Sequence, residues 1–186
     1  VFHYLHFTRR RVLRFDPSDA GLAVYSDASW STKNSMSGGL ILYNGCAISW
    51  WSRRQKSVAA STAEAECFAA ALASREGIFV RDLLEDLGHG VSTSTPLYLD
   101  SKAALDLAAD PVAFKKTKHI LRHAYELRDR VQRLIFQPLF VPTTQQLADV
   151  LTKGLRTEAH HAFLSAALSD DTPATIPPHV TAAVAR

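Results

Sequence analysis

The stretch AVYSDASW, residues 23–30, places an aspartate inside a run of residues that is typical of a buried β-strand. The alternation of apolar Ala23 and Tyr25 with polar Ser26 breaks at Asp27, directly after the apolar run. A buried carboxylate is costly unless it is paired or binds a metal ion. Asp27 therefore requires partners, which the rest of the chain has to supply.

The composition predicts one globular domain. With 186 residues, of which 47% are apolar and 9% aromatic, the chain can bury a core. Cys46 and Cys67 have no paired spacing, which argues against a disulfide framework or a zinc site and favours a reducing compartment. No apolar run approaches the length of a membrane span, and the arginines at Arg9–Arg11 are not followed by the apolar stretch of a signal peptide. We therefore expect a soluble, intracellular protein.

The net charge of +3 is small, but the positive residues are bunched. Bunching of this kind suits a polyanionic partner, although a solvated loop explains any single cluster equally well. The clusters are Arg9, Arg10, Arg11 and Arg14; Arg53, Arg54 and Lys56; and Lys115, Lys116 and Lys118.

Three strand-like runs open the domain: LAVYSDAS (22–29), SGGLILYN (37–44) and CAISWWS (46–52). The Asn44-Gly45 pair between the last two is a strong hairpin signal. The three runs therefore predict an antiparallel meander.

A long helix is predicted from Ser61, which has capping-box spacing with Glu64, to a stop at Gly88. Gly77 inside it costs roughly 1 kcal/mol relative to alanine without breaking the helix. The order βββαβαβα predicts an α/β domain with a five-stranded mixed sheet, three antiparallel strands and then two further strands, flanked by helices. The later elements are a strand at 96–100, helices at 101–109 and 115–132, a strand at 133–141, and a final helix at 143–153 with Thr143 or Thr144 as its cap.

Four acids stand where these elements would bring them together. Asp27 lies in the first strand and Asp100 at the end of the fourth, and neighbouring strands of a mixed sheet place such positions side by side. Glu64 and Glu66 point to nearly opposite sides of the long helix, so only one of them faces the sheet, and Glu66 borders the buried side. Asp149 is embedded in the apolar stripe of the final predicted helix.

Four carboxylates drawn together would repel one another unless cations neutralised them. Oxygen ligands without histidine or cysteine spacing favour Mg²⁺ or Mn²⁺ over zinc. Two such ions, roughly 3.5–4 Å apart, clamp the attacking and leaving oxygens of a phosphodiester. The set of acids therefore indicates phosphoryl transfer on a nucleic acid.

Each acid also has a structural interpretation. Asp100 would serve as a helix N-cap, Glu66 as a solvated helix residue, and Asp149 as a favourable charge near a helix N-terminus. Taken singly, these interpretations are the stronger ones for all but Asp27. The functional interpretation depends on the four acids as a set.

Several linked motifs resemble the ribonuclease H domain at the C-terminal end of the Pol polyprotein of Ty1/copia-type long-terminal-repeat retrotransposons. The resemblance covers roughly residues 22–155. The motifs are YSDASW, AISWWSRRQKSVAASTAEAECFAA, LYLDSKAALDLA, KKTKHI and FVPTTQQLADVLTK, in this order.

The resemblance implies a ribonuclease H-like fold and three segments in the chain. Residues 1–20 resemble the linker or helix that follows the reverse transcriptase region. Residues 21–156 form the ribonuclease H-like domain, and 157–186 are expected to be a helical extension and a disordered tail.

The resemblance also implies the roles of the acids. Asp27, Glu66, Asp100 and Asp149 match the family's catalytic, metal-binding carboxylates, which use two Mg²⁺ ions with Mn²⁺ as a substitute. Glu64 is not the ligand on this alignment, whereas spacing alone permits either glutamate.

The chain departs from the family pattern near the site. Ser29 replaces a frequent second acid, Ser101 a frequent asparagine, and Gly154 a proline, while Cys67 stands where an aromatic residue is usual. The loop VPTTQQ, 141–146, lacks the histidine that cellular and retroviral relatives use in product release, which implies slower catalysis.

A hybrid of RNA and DNA is the substrate that the resemblance implies, and its 2′-hydroxyl groups distinguish the RNA strand. The basic residues would hold phosphates, whereas Trp30, Trp50 and Trp51 are interpreted as core or sheet-face residues and His123 as a packing or phosphate-contact residue. The candidate substrate contacts are Ser29, Arg53, Arg54, Gln55, Lys56, Ser61, Thr62, Lys115, Lys116, Lys118 and His119.

The leading hypothesis is a metal-dependent endonuclease that cleaves the RNA strand of RNA:DNA hybrids during reverse transcription. The alternative is a catalytically silent domain that binds hybrids or supports the polymerase; a transposase or integrase fits the motif order poorly. The expected partners are the hybrid and the reverse transcriptase of the same polyprotein, with no membrane. The expected location is the cytoplasm, in a virus-like particle, or the nucleus.

Overall fold

The computed structural model describes residues 21–109 and 118–154 and, outside these, positions 2, 6, 11–13, 15 and 160; at 118–121 only the backbone is described. The predicted meander opens the domain in this structure. The strands are β1 (Leu22–Ser29), β2 (Met36–Tyr43) and β3 (Cys46–Arg54), paired antiparallel in this order. Asn44 and Gly45 form the turn between β2 and β3, with φ of 50° and 81°. Positive φ at both central residues is the signature of the two-residue hairpin turn that Asn-Gly favours.

Two further strands extend the sheet in parallel. They are β4 (Thr95–Leu99) and β5 (Phe136–Phe140), and the strand order is β3-β2-β1-β4-β5. In the pairing of β1 with β4, Tyr25 lies opposite Tyr98, and the two rings stack at 4.7 Å. The five-stranded mixed sheet with helices is confirmed.

The helices are α1 (Thr62–Asp86), α2 (Lys102–Ala109) and α3 (Lys118–Gln132). The Ser61 hydroxyl caps α1 by accepting a hydrogen bond from the Glu64 amide, 3.2 Å away. The helix stops before Gly88, which has a φ of 77°. Predicted caps and stops therefore agree with the observed ends of the longest helix.

Both faces of the sheet are covered. The helices pack on one face around Val24, Ile41 and Leu97. On the other face, Tyr25 and Tyr98 belong to a buried cluster with residues of the segment after β5, namely Val141, Leu147 and Ala148. The C-terminal segment is thus part of the core and lies directly over β1.

The final helix predicted at 143–153 is wrong. The structure has two single 3₁₀ turns, Thr143–Gln145 and Asp149–Leu151, separated by Gln146 in an extended conformation. The Gln146 side chain is buried, donates to the backbone carbonyl of Ser26 at 3.0 Å and accepts from the Ala148 amide at 3.2 Å. These bonds satisfy buried polar groups that a continuous helix would leave unpaired.

Some predictions fall outside the described residues. Apart from the single positions given above, these are the linker or helix at 1–20, the start of the helix predicted at 115, and the helical extension and tail at 157–186. None of the helices in the described part of the chain is both long and apolar enough to cross a bilayer.

Gly77 allows α1 to approach the sheet closely. A Cβ atom there would stand 2.8 Å from Phe136 Cζ and 3.2 Å from Val24 Cγ2. Helix propensity alone predicts that alanine would stabilise the helix by roughly 1 kcal/mol. The contacts predict the opposite, because α1 would have to move away from a packed core.

We expect Gly77→Ala to lower the free energy of unfolding by about 1–3 kcal/mol, because overpacking outweighs propensity. Urea unfolding measures this change. Gly154→Ala is the control, since a Cβ at Gly154 meets nothing within 4 Å, and its effect should stay within about 0.5 kcal/mol. A Gly77→Ala chain as stable as the wild type would contradict the packing argument.

Candidate active site

Parallel pairing of β1 with β4 brings two acids together. Tyr25 pairs with Tyr98, so Asp27 and Asp100, each two residues further on, lie side by side where the strands end. Glu66 of α1 completes the group: Asp27, Glu66 and Asp100 each offer a carboxylate oxygen, and these atoms lie within 4.8 Å of one another. Asp27 is fully buried and Glu66 is 6% exposed. We call these three residues the acid cluster.

The two glutamates of α1 have separate surroundings. The Glu64 carboxylate accepts a hydrogen bond from the Ala60 amide at 2.6 Å and so belongs to the N-terminal cap of the helix. Glu66 lies nearly on the opposite side of the helix, accepts a bond from the Ala28 amide and faces the other two acids. The choice between them that spacing left open is therefore resolved by position, with Glu66 in the cluster.

Asp100 is not the cap of α2. The Ala104 amide donates to the Ser101 hydroxyl at 3.2 Å, so Ser101 supplies that cap. Asp100 instead accepts a bond from the Thr143 hydroxyl at 3.1 Å, in the first 3₁₀ turn. The structural interpretation of Asp100 as an N-cap is wrong.

Asp27 is held by the second 3₁₀ turn. The Thr152 hydroxyl donates to Asp27 Oδ2, and the Lys153 ammonium lies 3.3 Å from Asp27 Oδ1. Gly38 pairs with Asp27 across the sheet and makes this approach possible, because a Cβ there would stand 2.7 Å from Thr152 Cγ2 and 2.9 Å from Leu151 Cβ. The glycine lets the C-terminal segment reach the carboxylate.

Asp149 lies beside the acid cluster and is joined to it through Lys153. The Lys153 ammonium is 2.8 Å from Asp149 Oδ1, the shorter of its two carboxylate contacts. Asp149 has 10% of its side chain exposed and is absent from the group whose oxygens meet within 4.8 Å. The structure thus brings three of the four predicted acids together and places the fourth behind a lysine.

Burial and mutual repulsion disturb the protonation of these groups. Burial, together with the charges of Asp27 and Asp100, raises the pKa of Glu66 to about 9. Burial is also the main cause that raises the pKa of Asp100, with Asp27 adding to it, and burial raises the pKa of Asp149. Burial works to lower the pKa of Lys153, but its bond to Asp149 and the charge of Asp27 outweigh this and raise that pKa to about 12.

The donor set suits a hard divalent cation. Three carboxylates supply oxygen ligands only, which is the chemistry that Mg²⁺ and Mn²⁺ prefer. The single charge of Lys153 does not compensate the group, as the raised pKa of Glu66 indicates. Asp27, Glu66 and Asp100 are therefore the residues that would hold such an ion.

A separate cleft of about 420 Å³ lies where β3 meets α1 and α3. Burial lowers the pKa of His123, so the positive charge of the cleft comes from its arginines and Lys56. Arg53 is paired with Glu76 at 2.6 Å. The lining residues are Ser37, Arg53, Arg54, Gln55, Lys56, Ser57, Phe68, Leu72, Arg75 and His123.

The other candidate substrate contacts are placed as follows. Ser29 ends β1 and is half-buried, while Ser61 and Thr62 begin α1 at the surface. The Gln55 side chain points inward, and its nitrogen donates to Ser37 Oγ and to the Ala65 carbonyl, both at 2.9 Å. Lys115 and Lys116 lie outside the described residues, and of Lys118 and His119 only the backbone, in α3, is described.

The tryptophans and Cys67 take different positions. Trp51 is buried in the core, as predicted, whereas Trp30 and Trp50 are 42% and 54% exposed on the surface. Cys67 fills a buried contact among the helices with Leu107 and Ala124. The aromatic position of the family motif is therefore a packing position here.

Thr143, Thr152 and Lys153 contact the acids, but the sequence analysis predicts no role at the site for them; it has Thr143 only as a possible helix cap. A signal exists for Lys153, which follows Asp149 by four residues, the spacing at which opposite charges meet on a helical turn. The threonine contacts span 43 and 125 residues along the chain and have no local signal.

The chain is similar to known proteins in both sequence and fold, although no protein-family model matches it. It is 35% identical over 157 residues to the retrovirus-related Pol polyprotein from transposon TNT 1-94 of Nicotiana tabacum, covering 82% of this chain and 12% of that protein. It is 36% and 38% identical to those from transposons RE1 and RE2 of Arabidopsis thaliana, over 77% and 76% of this chain. The chain spans about a tenth of the length of these relatives.

Solved ribonuclease H structures share the fold. LC11-RNase H1 in complex with an RNA/DNA hybrid superposes with a TM-score of 0.52 at 15% identity, covering 70% of this chain and 92% of that one. The N-terminal RNase H domain of a Mycobacterium tuberculosis protein gives a TM-score of 0.51 at 14% identity, over 77% of this chain and 95% of that one. The predicted ribonuclease H-like fold is confirmed.

The raised pKa of Glu66 predicts a pH-dependent stability in the absence of metal. Between the ordinary glutamate pKa of 4.5 and about 9, the unfolded chain has lost the Glu66 proton and the folded chain keeps it. The Glu66 contribution to stability is therefore full below pH 4.5 and is lost as the pH rises toward 9. We expect Glu66→Gln in EDTA to exceed the wild type in free energy of unfolding by on the order of 2 kcal/mol at pH 8, and by much less at pH 5.

Urea unfolding at both pH values tests this expectation. Glu85→Gln removes an exposed carboxylate from the same helix and serves as the control, with a difference from wild type within about 0.5 kcal/mol at both pH values. A Glu66→Gln difference that does not grow with pH would contradict the assigned protonation.

Proposed function

Because the chain is a homologue of retrovirus-related Pol polyproteins of plant copia-type transposons and has the ribonuclease H fold, we propose that it is a metal-dependent ribonuclease H. It hydrolyses the RNA strand of RNA:DNA hybrids during reverse transcription of a retrotransposon. The observation that carries the proposal is the meeting of Asp27, Glu66 and Asp100 within 4.8 Å at the ends of β1 and β4. Apolar residues at these three positions would stabilise the fold better than acids do, so stability alone does not explain the acids.

The cofactor in this proposal is Mg²⁺, as two ions, with Mn²⁺ as a substitute. Asp27, Glu66 and Asp100 would hold it, and Asp149 is the fourth proposed catalytic ligand. When bound, the ions supply an activated water and charge stabilisation at the departing oxygen.

The chain's own residues fix the carboxylates before substrate arrives. Thr143 orients Asp100, and Thr152 with Lys153 orients Asp27. The Ala28 amide orients Glu66. Ligands held by such bonds lose little conformational freedom when they bind an ion, which favours a defined geometry.

The basic cleft supports a polyanionic substrate. Arg54 and Lys56 are exposed beside Arg75 in the cleft, where they would contact phosphates of the DNA strand. Arg53 would also contact a phosphate, either while it keeps its ion pair with Glu76 or after the phosphate replaces Glu76 as its partner. Gln55, by its inward bonds, positions the segment before α1 and leaves phosphate contact to its neighbours.

The partners follow from the relatives. The relatives are Pol polyproteins, of which this chain spans about a tenth. We place its activity beside the reverse transcriptase of such a polyprotein, in a cytoplasmic virus-like particle or in the nucleus.

We expect the purified chain to cut only the RNA strand of a labelled RNA:DNA hybrid, in Mg²⁺ or Mn²⁺ and not in EDTA. RNA and DNA duplexes serve as parallel substrates. Asp27→Asn keeps the size of the side chain but removes a charged oxygen ligand, so its rate should fall below about 1% of wild type. Asp82→Asn, an exposed acid on α1, is the matched control and should retain the wild-type rate.

Two results would contradict the proposal. Full activity of Asp27→Asn would exclude the acid cluster as the catalytic site. Hybrid binding without cleavage in either metal would favour the alternative of a silent, hybrid-binding domain.

A further inference from the structure

We propose that Lys153 is a built-in cation that holds Asp149 out of the ion-binding group, so that Asp149 joins the acid cluster only when the Lys153 ammonium leaves. This inference rests on the function proposed above, because it concerns how the same site takes up its ions. It assigns to Lys153 control over the number and affinity of bound ions.

The position of the ammonium supports this role. It lies 2.8 Å from Asp149 Oδ1 and 3.3 Å from Asp27 Oδ1, between the fourth acid and the buried member of the cluster. Asp149 Oδ1 is therefore engaged by the same ammonium that contacts Asp27 Oδ1. A divalent ion that bridges these two carboxylates has to take the place of the ammonium.

The backbone holds Lys153 in this position. The Lys153 and Thr152 amides both donate to the Asp149 carbonyl, at 3.0 and 3.1 Å, which closes the turn below the ion pair. Gly38 lets that turn lie against β2, with a would-be Cβ at 2.7 Å from Thr152 Cγ2. The backbone of Lys153 is thus fixed by a packed turn, which directs its exposed side chain toward the two carboxylates.

The side chain is nevertheless able to leave. Lys153 is 38% exposed, so its four-carbon stem has an open path to solvent. Asp27, at the other end of the contact, is fully buried and keeps its bond from Thr152. Departure of the lysine would therefore free two carboxylate oxygens without dismantling the cluster.

Competition between two cations for the same oxygens predicts the sign of a substitution. Lys153→Met keeps the length of the stem and removes the charge. It should tighten Mg²⁺ binding by about tenfold or more, because the competing charge is gone, and it should lower the melting temperature of the metal-free chain, because Asp27 loses a partner.

The experiment is a Mg²⁺ titration of the full chain by calorimetry, in a double-mutant cycle of Lys153→Met and Asp149→Asn. Asp149→Asn alone should change the affinity for the first Mg²⁺ ion, which the acid cluster holds, by no more than about twofold, because Asp149 is paired with Lys153 and does not contact that ion; loss of a ligand that does contact it costs about 10–100-fold. In the Lys153→Met background, Asp149→Asn should abolish most of the gain. Arg133→Met is the charge control and should leave affinity unchanged, since Arg133 precedes β5 at the end of the sheet opposite Asp100.

Several results would overturn the inference. One is unchanged or weaker Mg²⁺ binding by a folded Lys153→Met chain. Another is a tenfold or greater loss of Mg²⁺ affinity in Asp149→Asn alone. If Lys153→Met does not fold, the Asp149→Asn result still decides. Lys153→Arg keeps the charge and should not tighten binding; tighter binding would also overturn the inference.

The proposed function fails separately. A wild-type chain that cleaves hybrids and binds Mg²⁺, beside a Lys153→Met chain with unaltered affinity, would overturn only the role of Lys153. Absence of both Mg²⁺ binding and cleavage in every variant would overturn both.

Discussion

Repulsion between buried carboxylates is the constraint on which the arrangement of this domain depends. Asp27 is fully buried, and its neighbours Glu66 and Asp100 approach within 4.8 Å, so each raises the electrostatic cost of charging the others. The high pKa of Glu66 is the direct expression of that cost. A fold that keeps such a group has to provide cations, hydrogen-bond donors or protons at this point.

The segment after β5 provides them. Thr143 bonds to Asp100, Thr152 and Lys153 bond to Asp27, and Gln146 satisfies the carbonyl of Ser26 just before Asp27. This segment also covers one face of the sheet through Leu147 and Ala148. The same stretch of chain thus closes the core and organises the acids, which couples the integrity of the fold to the geometry of the site.

Much of the architecture could be predicted because its signals are local. Asn44-Gly45 sets a hairpin, Ser61 and Glu64 set the start of α1, and strand-like apolar runs identify β1 and β2. The position of Glu66 in the cluster followed from the resemblance to retrotransposon ribonuclease H domains, whereas its spacing from Glu64 left both glutamates open.

The C-terminal segment could not be predicted, because its determinants are distant in sequence. Helical spacing in QQLADVLTK favours a helix, but the bond of Gln146 to the Ser26 carbonyl spans 120 residues and breaks it into two turns. In the sequence Gly38 is an ordinary strand residue, but in the structure its lack of a side chain leaves the space through which Thr152 reaches Asp27. The sequence predicts Asp149 within the cluster, but the Lys153 ammonium lies between Asp149 and Asp27.

Asp27, Glu66 and Asp100 meet at one point of the fold because, as we propose, they bind a divalent cation. The most direct test is a crystal structure of the chain grown with Mn²⁺, with the ion located by anomalous scattering. We expect a peak bounded by the carboxylates of these three residues, at about 2.0–2.3 Å from their oxygens. Crystals in saturating Mn²⁺ that show no peak at the acid cluster, or a peak only elsewhere on the chain, would contradict it.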